Sequence, residues 1–291
     1  GSVVGVFICL MLVWFGSALV SAVPSPGLQQ SVRDSKVIIW LDEQLPPATE
    51  IMQWFERSLA QTKIPEIVRE LEPKLPDTDA KLPDLGTFND VVAAARASVV
   101  EIEGRACYGI SVGTGFVADE GIVITNAHVI AGMRYPYVQD EHGRHRAEVI
   151  GFDPDLDIAI LRVRGLGGQP LALVDDTVEN GTPGVALGYP GGGPFTASPA
   201  AVIDRFTALG RDIYNEGVDR RDVYALKADI REGNSGGPLI GADGRVFGVI
   251  FARSTTYEQV GYALSTPAVI DVLEAAQEAP SSAGSTRCAA Q

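Results

Sequence analysis

Residues 232–240 read Glu-Gly-Asn-Ser-Gly-Gly-Pro-Leu-Ile. Glycines on both sides of Ser235 allow a tight turn that leaves the hydroxyl exposed and gathers successive backbone N–H groups into one concavity. Apolar Leu239-Ile240 follow at once, so the turn opens a strand. A Gly-rich turn around a serine is by itself only a connection. To act as a nucleophile, the serine needs a base to take its proton, a carboxylate to orient that base, and N–H donors for an oxyanion.

The chain has three histidines, so the base is found by exhaustion. His142 and His145 lie in Gln139–Arg146 (QDEHGRHR), a hydrophilic turn between strands. His128 ends the apolar run Ile124-Thr125-Asn126-Ala127-His128-Val129-Ile130, just before Gly132. A polar ring emerging from a buried strand is either a satisfied core histidine or a placed base. For the carboxylate, residues 152–161 read Phe-Asp-Pro-Asp-Leu-Asp-Ile-Ala-Ile-Leu. Asp157 opens four apolar residues, which draws it half inside, where it can accept from an imidazole while shielded from water. Taken alone it reads first as a strand-start residue. Asp153 and Asp155 flank Pro154 in the turn and are expected to stay solvated.

The composition limits what these residues can serve. The chain has 291 residues, 46% of them hydrophobic, as in a folded protein with ample surface to bury a core. Acidic residues outnumber basic ones 37 to 23, a formal charge of −14, which argues against nucleic acid as a partner. Only three cysteines occur, with no Cys-x-x-Cys pair and no histidine-rich cluster, so neither a structural metal nor another cofactor is expected.

From Thr87 onward the chain breaks into short β-type runs between Gly and Pro turns: 97–103, 108–118, 121–125, 144–151, 157–163, 183–188, 222–229, 245–252 and 259–264. Many short strands at such spacing predict a barrel or sandwich. A closing amphipathic helix is expected over Thr266–Glu278. Residues 28–86 read as a stalk with two short helices, Ser31–Gln44 and Thr49–Ala60, broken by Pro46, Pro47, Pro65, Pro73, Pro76 and Pro83. Residues 1–27 carry no charge. At 1.5 Å per residue, Val3–Val23 reaches about 31 Å, the thickness of a hydrocarbon core, and is read as a transmembrane helix. A signal peptide, with Val20-Ser21-Ala22 as its cleavage site, and a buried helix are the competing readings. Further membrane segments are expected upstream of Gly1.

The order His128, Asp157, Ser235, in the contexts TNAHVI, DLDIAIL and GNSGGPL, resembles the trypsin-like serine proteases of the bacterial HtrA/DegP type, over roughly residues 88–275. The resemblance implies an all-β fold of two six-stranded antiparallel β-barrels with the active site in the cleft between them. His128 and Asp157 would come from the first barrel and Ser235 from the second, with the linker near 164–181. Ser235 would be the nucleophile, His128 the base and Asp157 its orienting carboxylate, with the N–H groups of Gly233 and Ser235 forming the oxyanion hole. Activity is then expected to fall as His128 takes a proton, since an imidazolium cannot act as base.

The sequence departs from that pattern in places. Digestive relatives carry Asp immediately before the nucleophile, where a new N-terminus inserts; this chain has Asn234. Sixteen residues follow Ala275, so no PDZ domain is expected. With its membrane segment and stalk, the whole is similar to the membrane-anchored periplasmic serine proteases of actinobacteria. The specificity pocket is expected to be walled by 248–254, which contains Ile250 and Ala252, by 259–264 and by the segment before Ser235. Asp229 stands six residues before Ser235 and either favours Arg or Lys at P1 or pairs with Arg231 or Lys227.

Cys9 lies inside the apolar run. Cys107 and Cys288 are then expected to form a disulfide in an oxidising compartment; two free thiols are the alternative and would imply a reducing one. The expected function is a membrane-anchored serine endopeptidase acting on cell-envelope proteins from the periplasmic side, in stress responses, with self-cleavage in the Pro-broken stalk near 73–86. The other readings are a protease-fold peptide-binding or sensor protein without turnover, and a membrane scaffold whose protease domain is secondary.

Overall fold

The run Ile158-Ala159-Ile160-Leu161 has no polar alternation, which in a strand means that both faces are buried. In the computed structural model, Ala159 and Leu161 point into one barrel with Val100, Ile102, Val117, Val123 and Val138. Ile158 and Ile160 point the other way, into an apolar cluster shared with Val185, Leu187 and Tyr262 of a second barrel. The structure describes residues 35–37, 75, 80–107, 109–254, 256–279 and 287–289. The expected membrane helix Val3–Val23 lies outside them, as do the stalk helices apart from 35–37. Among the described residues no helix is long and apolar enough to cross a membrane.

A 3-10 turn at Leu85–Phe88 leads into a short helix, α1 (Asn89–Ala95), which the sequence reading did not anticipate. The first barrel then comprises β1 (Val99–Ala106), β2 (Gly109–Asp119), β3 (Ile122–Thr125), β4 (Tyr137–Asp140), β5 (Gly143–Asp153) and β6 (Ile158–Val163), with α2 (Ala127–Ile130) after β3. Its spatial order is β1-β2-β3-β6-β5-β4, closed by pairing Ile102 opposite Val138. The second comprises β7 (Pro183–Gly188), β8 (Thr196–Arg211), β9 (Val218–Lys227), β10 (Pro238–Ile240), β11 (Val246–Arg253) and β12 (Val260–Ser265). It repeats the order as β7-β8-β9-β12-β11-β10 and closes where Leu239 pairs with Ala186. Within both barrels the named strands pair antiparallel, and closure removes the exposed edges that would otherwise invite aggregation.

Two strands escaped the sequence reading. β4 has only four residues, half of them polar. β8 is the longest strand, yet it contains Pro199 and alternates buried with exposed positions along its outer half. Proline within a run demotes it as a strand, but Pro199 is accommodated here opposite Val185. The expected closing helix is α3 (Thr266–Glu278), which begins with Pro267 in its first turn. Val269, Leu273 and Ala276 share one face at helical spacing and join the inter-barrel cluster.

The hairpin between β4 and β5 is tied to the inter-barrel linker by one carboxylate. Asp140 Oδ1 accepts from the N–H groups of His142 (2.8 Å) and Gly143 (3.0 Å) and pairs with His145 Nε2 (2.9 Å), while Oδ2 accepts from Gly167 N–H (2.8 Å). Burial alone would push this carboxyl upward, but the Gly167, His145 and His142 donors outweigh it and hold it below the ordinary value. A depressed carboxylate stabilises the fold above its unfolded pKa, and that contribution disappears as pH falls through the lower, folded value. Asp140→Asn is therefore expected to melt several degrees below the parent near neutrality, roughly what a loss of 1–2 kcal/mol produces. The gap should narrow as pH falls below about 4; a gap independent of pH in thermal melts would refute the assignment.

Candidate active site

His128 lies on α2, the single turn that follows β3. Its backbone N–H donates to Asp157 Oδ1 at 2.8 Å, and its ring Nδ1 meets Oδ2 at 2.6 Å. A carboxylate only accepts, so Nδ1 carries the proton and Nε2 is left to take another. Asp157 is 0% exposed and ends the 154–157 turn with φ 61°, a left-handed conformation that costs most residues about 1–2 kcal/mol. Asn126 offsets that cost: its amide Nδ2 donates to the Asp157 carbonyl at 2.8 Å. Ser111 Oγ in turn donates to Val129 O at 2.8 Å, pinning α2 to β2.

The serine turn belongs to the second barrel but is seated on the first. Thr114 on β2 makes the seat. Its N–H donates to Ser235 O (2.8 Å), its hydroxyl donates to Gly233 O (2.6 Å), and the same hydroxyl accepts from Tyr189 N–H (3.0 Å). Gly236, at φ 85°, packs so closely that a Cβ there would collide with Thr114 O and Thr125 Oγ1 and reach 3.0 Å from the backbone nitrogen of Asn126. The serine turn thereby abuts the segment that carries His128.

Planar trans peptides turn each N–H away from the carbonyl before it. The Glu232 carbonyl accepts from Gly191 N–H at 2.7 Å, and the Asn234 carbonyl accepts from Gly237 N–H at 2.9 Å. The N–H groups of Gly233 and Ser235 therefore face away from these partners, and neither has an acceptor among the described residues. Gly233 adopts φ 90° and backs onto Tyr189 O and Gly191 N, where a side chain would not fit.

The remaining candidate positions fall as follows. Asp229 has a half-exposed carboxylate in an ion pair with Arg231 (Nη2–Oδ2 2.6 Å), one of the two pairings that the sequence left open. Ile250 is fully buried in the second barrel, and what it offers the serine turn is backbone: its carbonyl accepts from Gly236 N–H at 2.7 Å. Ala252 is buried on the same strand. His142 and His145 pair with Asp140. Cys107 and Cys288 form a disulfide, Cα–Cα 5.8 Å across 181 residues. It anchors a tail in which Arg287 stacks on Tyr214 at 4.4 Å and pairs with Glu216. Among the described residues no cluster of His, Cys, Asp or Glu could hold a metal ion.

Thr114, Asn126 and Gly191 were missed by sequence reasoning. Thr114 carried a usable signal, since Gly113 and Gly115 flank it inside a strand, and glycine there marks a close approach of another backbone.

The sequence pattern of the trypsin-like peptidase domain family matches residues 113–249. A serine protease of Mycobacterium tuberculosis, Rv3671c, is 36% identical over 273 residues, covering 91% of this chain and 69% of that protein. The crystal structure of the Rv3671c protease in its active form matches with a TM-score of 0.70 and 38% identity, over 75% of this chain and 96% of that one. A probable periplasmic DegP-like serine endoprotease of Halomonas elongata is 33% identical over 56% of this chain and 35% of its own length.

Thr114→Val removes the hydroxyl that holds Gly233 O and leaves that buried carbonyl and the part-buried Tyr189 N–H without this partner. The expected result is a fall of about tenfold or more in kcat on a peptide substrate, with KM little changed. Unaltered kcat in the folded variant would show that this seat does not order the turn.

Proposed function

The chain belongs to the trypsin-like peptidase family and is a serine protease of the HtrA/trypsin-like kind; from that premise we propose that it hydrolyses peptide bonds through Ser235, His128 and Asp157. The observation that carries this reading is the His128–Asp157 contact of 2.6 Å beside a serine turn whose two outward N–H groups have no acceptor among the described residues. Ser235 Oγ attacks the scissile carbonyl while His128 Nε2 takes its proton. Asp157 holds the ring in the required tautomer and stabilises the imidazolium. The developing oxyanion is received by the N–H groups of Gly233 and Ser235, each worth about 3 kcal/mol to the transition state. His128 then gives the proton to the leaving amine, and a water molecule, deprotonated by the same ring, releases the acyl group from Ser235.

The substrates proposed are proteins of the cell envelope. The uncharged run Val3–Val23 would anchor the chain and the stalk to residue 86 would hold the protease domain, 87–291, on the periplasmic side. Two features support this: the disulfide, which suits an oxidising compartment, and the periplasmic designation of the DegP-like relative. A part in stress responses and self-cleavage in the 73–86 segment complete the reading. The pocket for the P1 side chain would be lined by strand β11 around Ile250 and Ala252, with Asp229 neutralised at its rim by Arg231.

Fluorophosphonate labelling tests the nucleophile. The parent chain should be labelled and Ser235→Ala should not; equal labelling of both would overturn the assignment. For P1, a peptide library should show cleavage after apolar residues well above cleavage after Arg or Lys. Dominant cleavage after basic residues that Asp229→Ala abolishes would reverse the pocket reading.

A further inference from the structure

Arg221 is 1% exposed, among the largest fully buried side chains of the described residues, and no step of the proposed reaction uses it. It belongs to β9 of the second barrel, opposite Ala208, yet its guanidinium reaches the turns of the first. Nε donates to the carbonyl of Asp155 at 2.6 Å and Nη2 to the carbonyl of Arg211 at 2.9 Å. Nη1 has no hydrogen-bond partner among the described residues. A buried cation whose hydrogen bonds all go to carbonyls is an expensive arrangement.

The two carbonyls it grips flank the His128–Asp157 pair. Asp155 lies in the turn that ends at Asp157 with φ 61°. Arg211 ends β8, and the loop that follows packs Ile213 against Ala127 and Ala131, residues on either side of His128 along the chain. Ile213 N–H also donates to Pro154 O at 3.2 Å, so the loop and the turn are joined directly. The charged groups facing the guanidinium are Asp157, Asp219, Asp153 and Asp155. Burial draws Arg221 below its ordinary value, and these carboxylates, Asp157 foremost, pull it back up. Asp155 is itself raised by burial and by Asp219, Asp153 and Asp212, with Arg221 opposing.

We infer that Arg221 is a positioning residue for catalysis: it clamps the 153–157 turn to the 211–217 loop, so that Asp157 and His128 keep their mutual geometry, and it supplies the positive charge that the buried Asp157 faces. The inference rests on the Ser235–His128–Asp157 reading. Loss of this positive charge is read in the acid limb of the rate profile, which is expected to move toward neutrality.

The test uses the full 291-residue chain with Arg221→Met, Arg221→Lys and Ser235→Ala, assayed on a fluorogenic peptide from about pH 5 to 9. Arg221→Met should lower kcat about tenfold or more with KM within about twofold, and shift the acid limb upward. Arg221→Lys keeps the charge and loses the planar fork, so it should restore the limb but only part of kcat. A cooperatively melting Arg221→Met with parental kcat and limb overturns the inference, as does a change confined to KM. If the Met variant does not fold, Arg221→Lys decides, and full parental kcat there overturns it. Activity surviving in Ser235→Ala would instead bring down the triad reading. An inactive Ser235→Ala beside an unaffected Arg221→Met brings down the positioning role alone.

Discussion

A carboxylate removed from water must find donors inside the protein, and Asp157 finds both of its own on one residue, the backbone and ring of His128. That contact sets the tautomer of the ring, and it exists only because the 154–157 turn ends in a left-handed conformation. The local cost is met by bonds to backbone: Asn126 on the Asp157 carbonyl, Ile213 on Pro154 and Arg221 on Asp155. Two of those three come from the second barrel. The geometry of the pair is therefore a property of the whole molecule and not of the barrel that carries it.

The same division governs the serine turn. Its residues come from the second barrel, while Thr114 of the first barrel holds the carbonyls of Gly233 and Ser235. Gly236 and Gly233 allow the approach, because a side chain at either would strike backbone. A large apolar cluster presses the barrels together, with Ile158 and Ile160 on one side and Val185, Leu187 and Tyr262 on the other, and α3 lies across it. Rigid burial on this scale lets short hydrogen bonds across the interface hold their lengths. The disulfide adds a covalent stop: closing 181 residues removes denatured-state entropy worth about 5 kcal/mol in the loop model.

Much of this was readable from the chain. His128, Asp157 and Ser235 stand out because each departs from its surroundings: a polar ring at the end of an apolar strand, a carboxylate opening a buried run, a serine between glycines. The continuous apolar run 158–161 announced a strand buried on both faces. β8 was not readable, because its outer half alternates like a solvated surface and Pro199 interrupts it. Arg221 was equally silent. Within Asp219-Arg220-Arg221-Asp222 it looks like one charge among four, and only burial distinguishes it.

The sequence by itself determined the chemistry on offer: a serine between glycines, a histidine and a carboxylate in a recognisable order, an excess of acidic residues and two cysteines beyond the apolar N-terminal run. These depend on residue type and near neighbours, which a chain displays directly. Tertiary structure alone decided which polar groups would be sealed from water and which carbonyls would find donors from the opposite barrel. Thr114, Asn126 and Arg221 act on partners 119, 31 and 66 residues away, and no local pattern encodes a contact made at that distance.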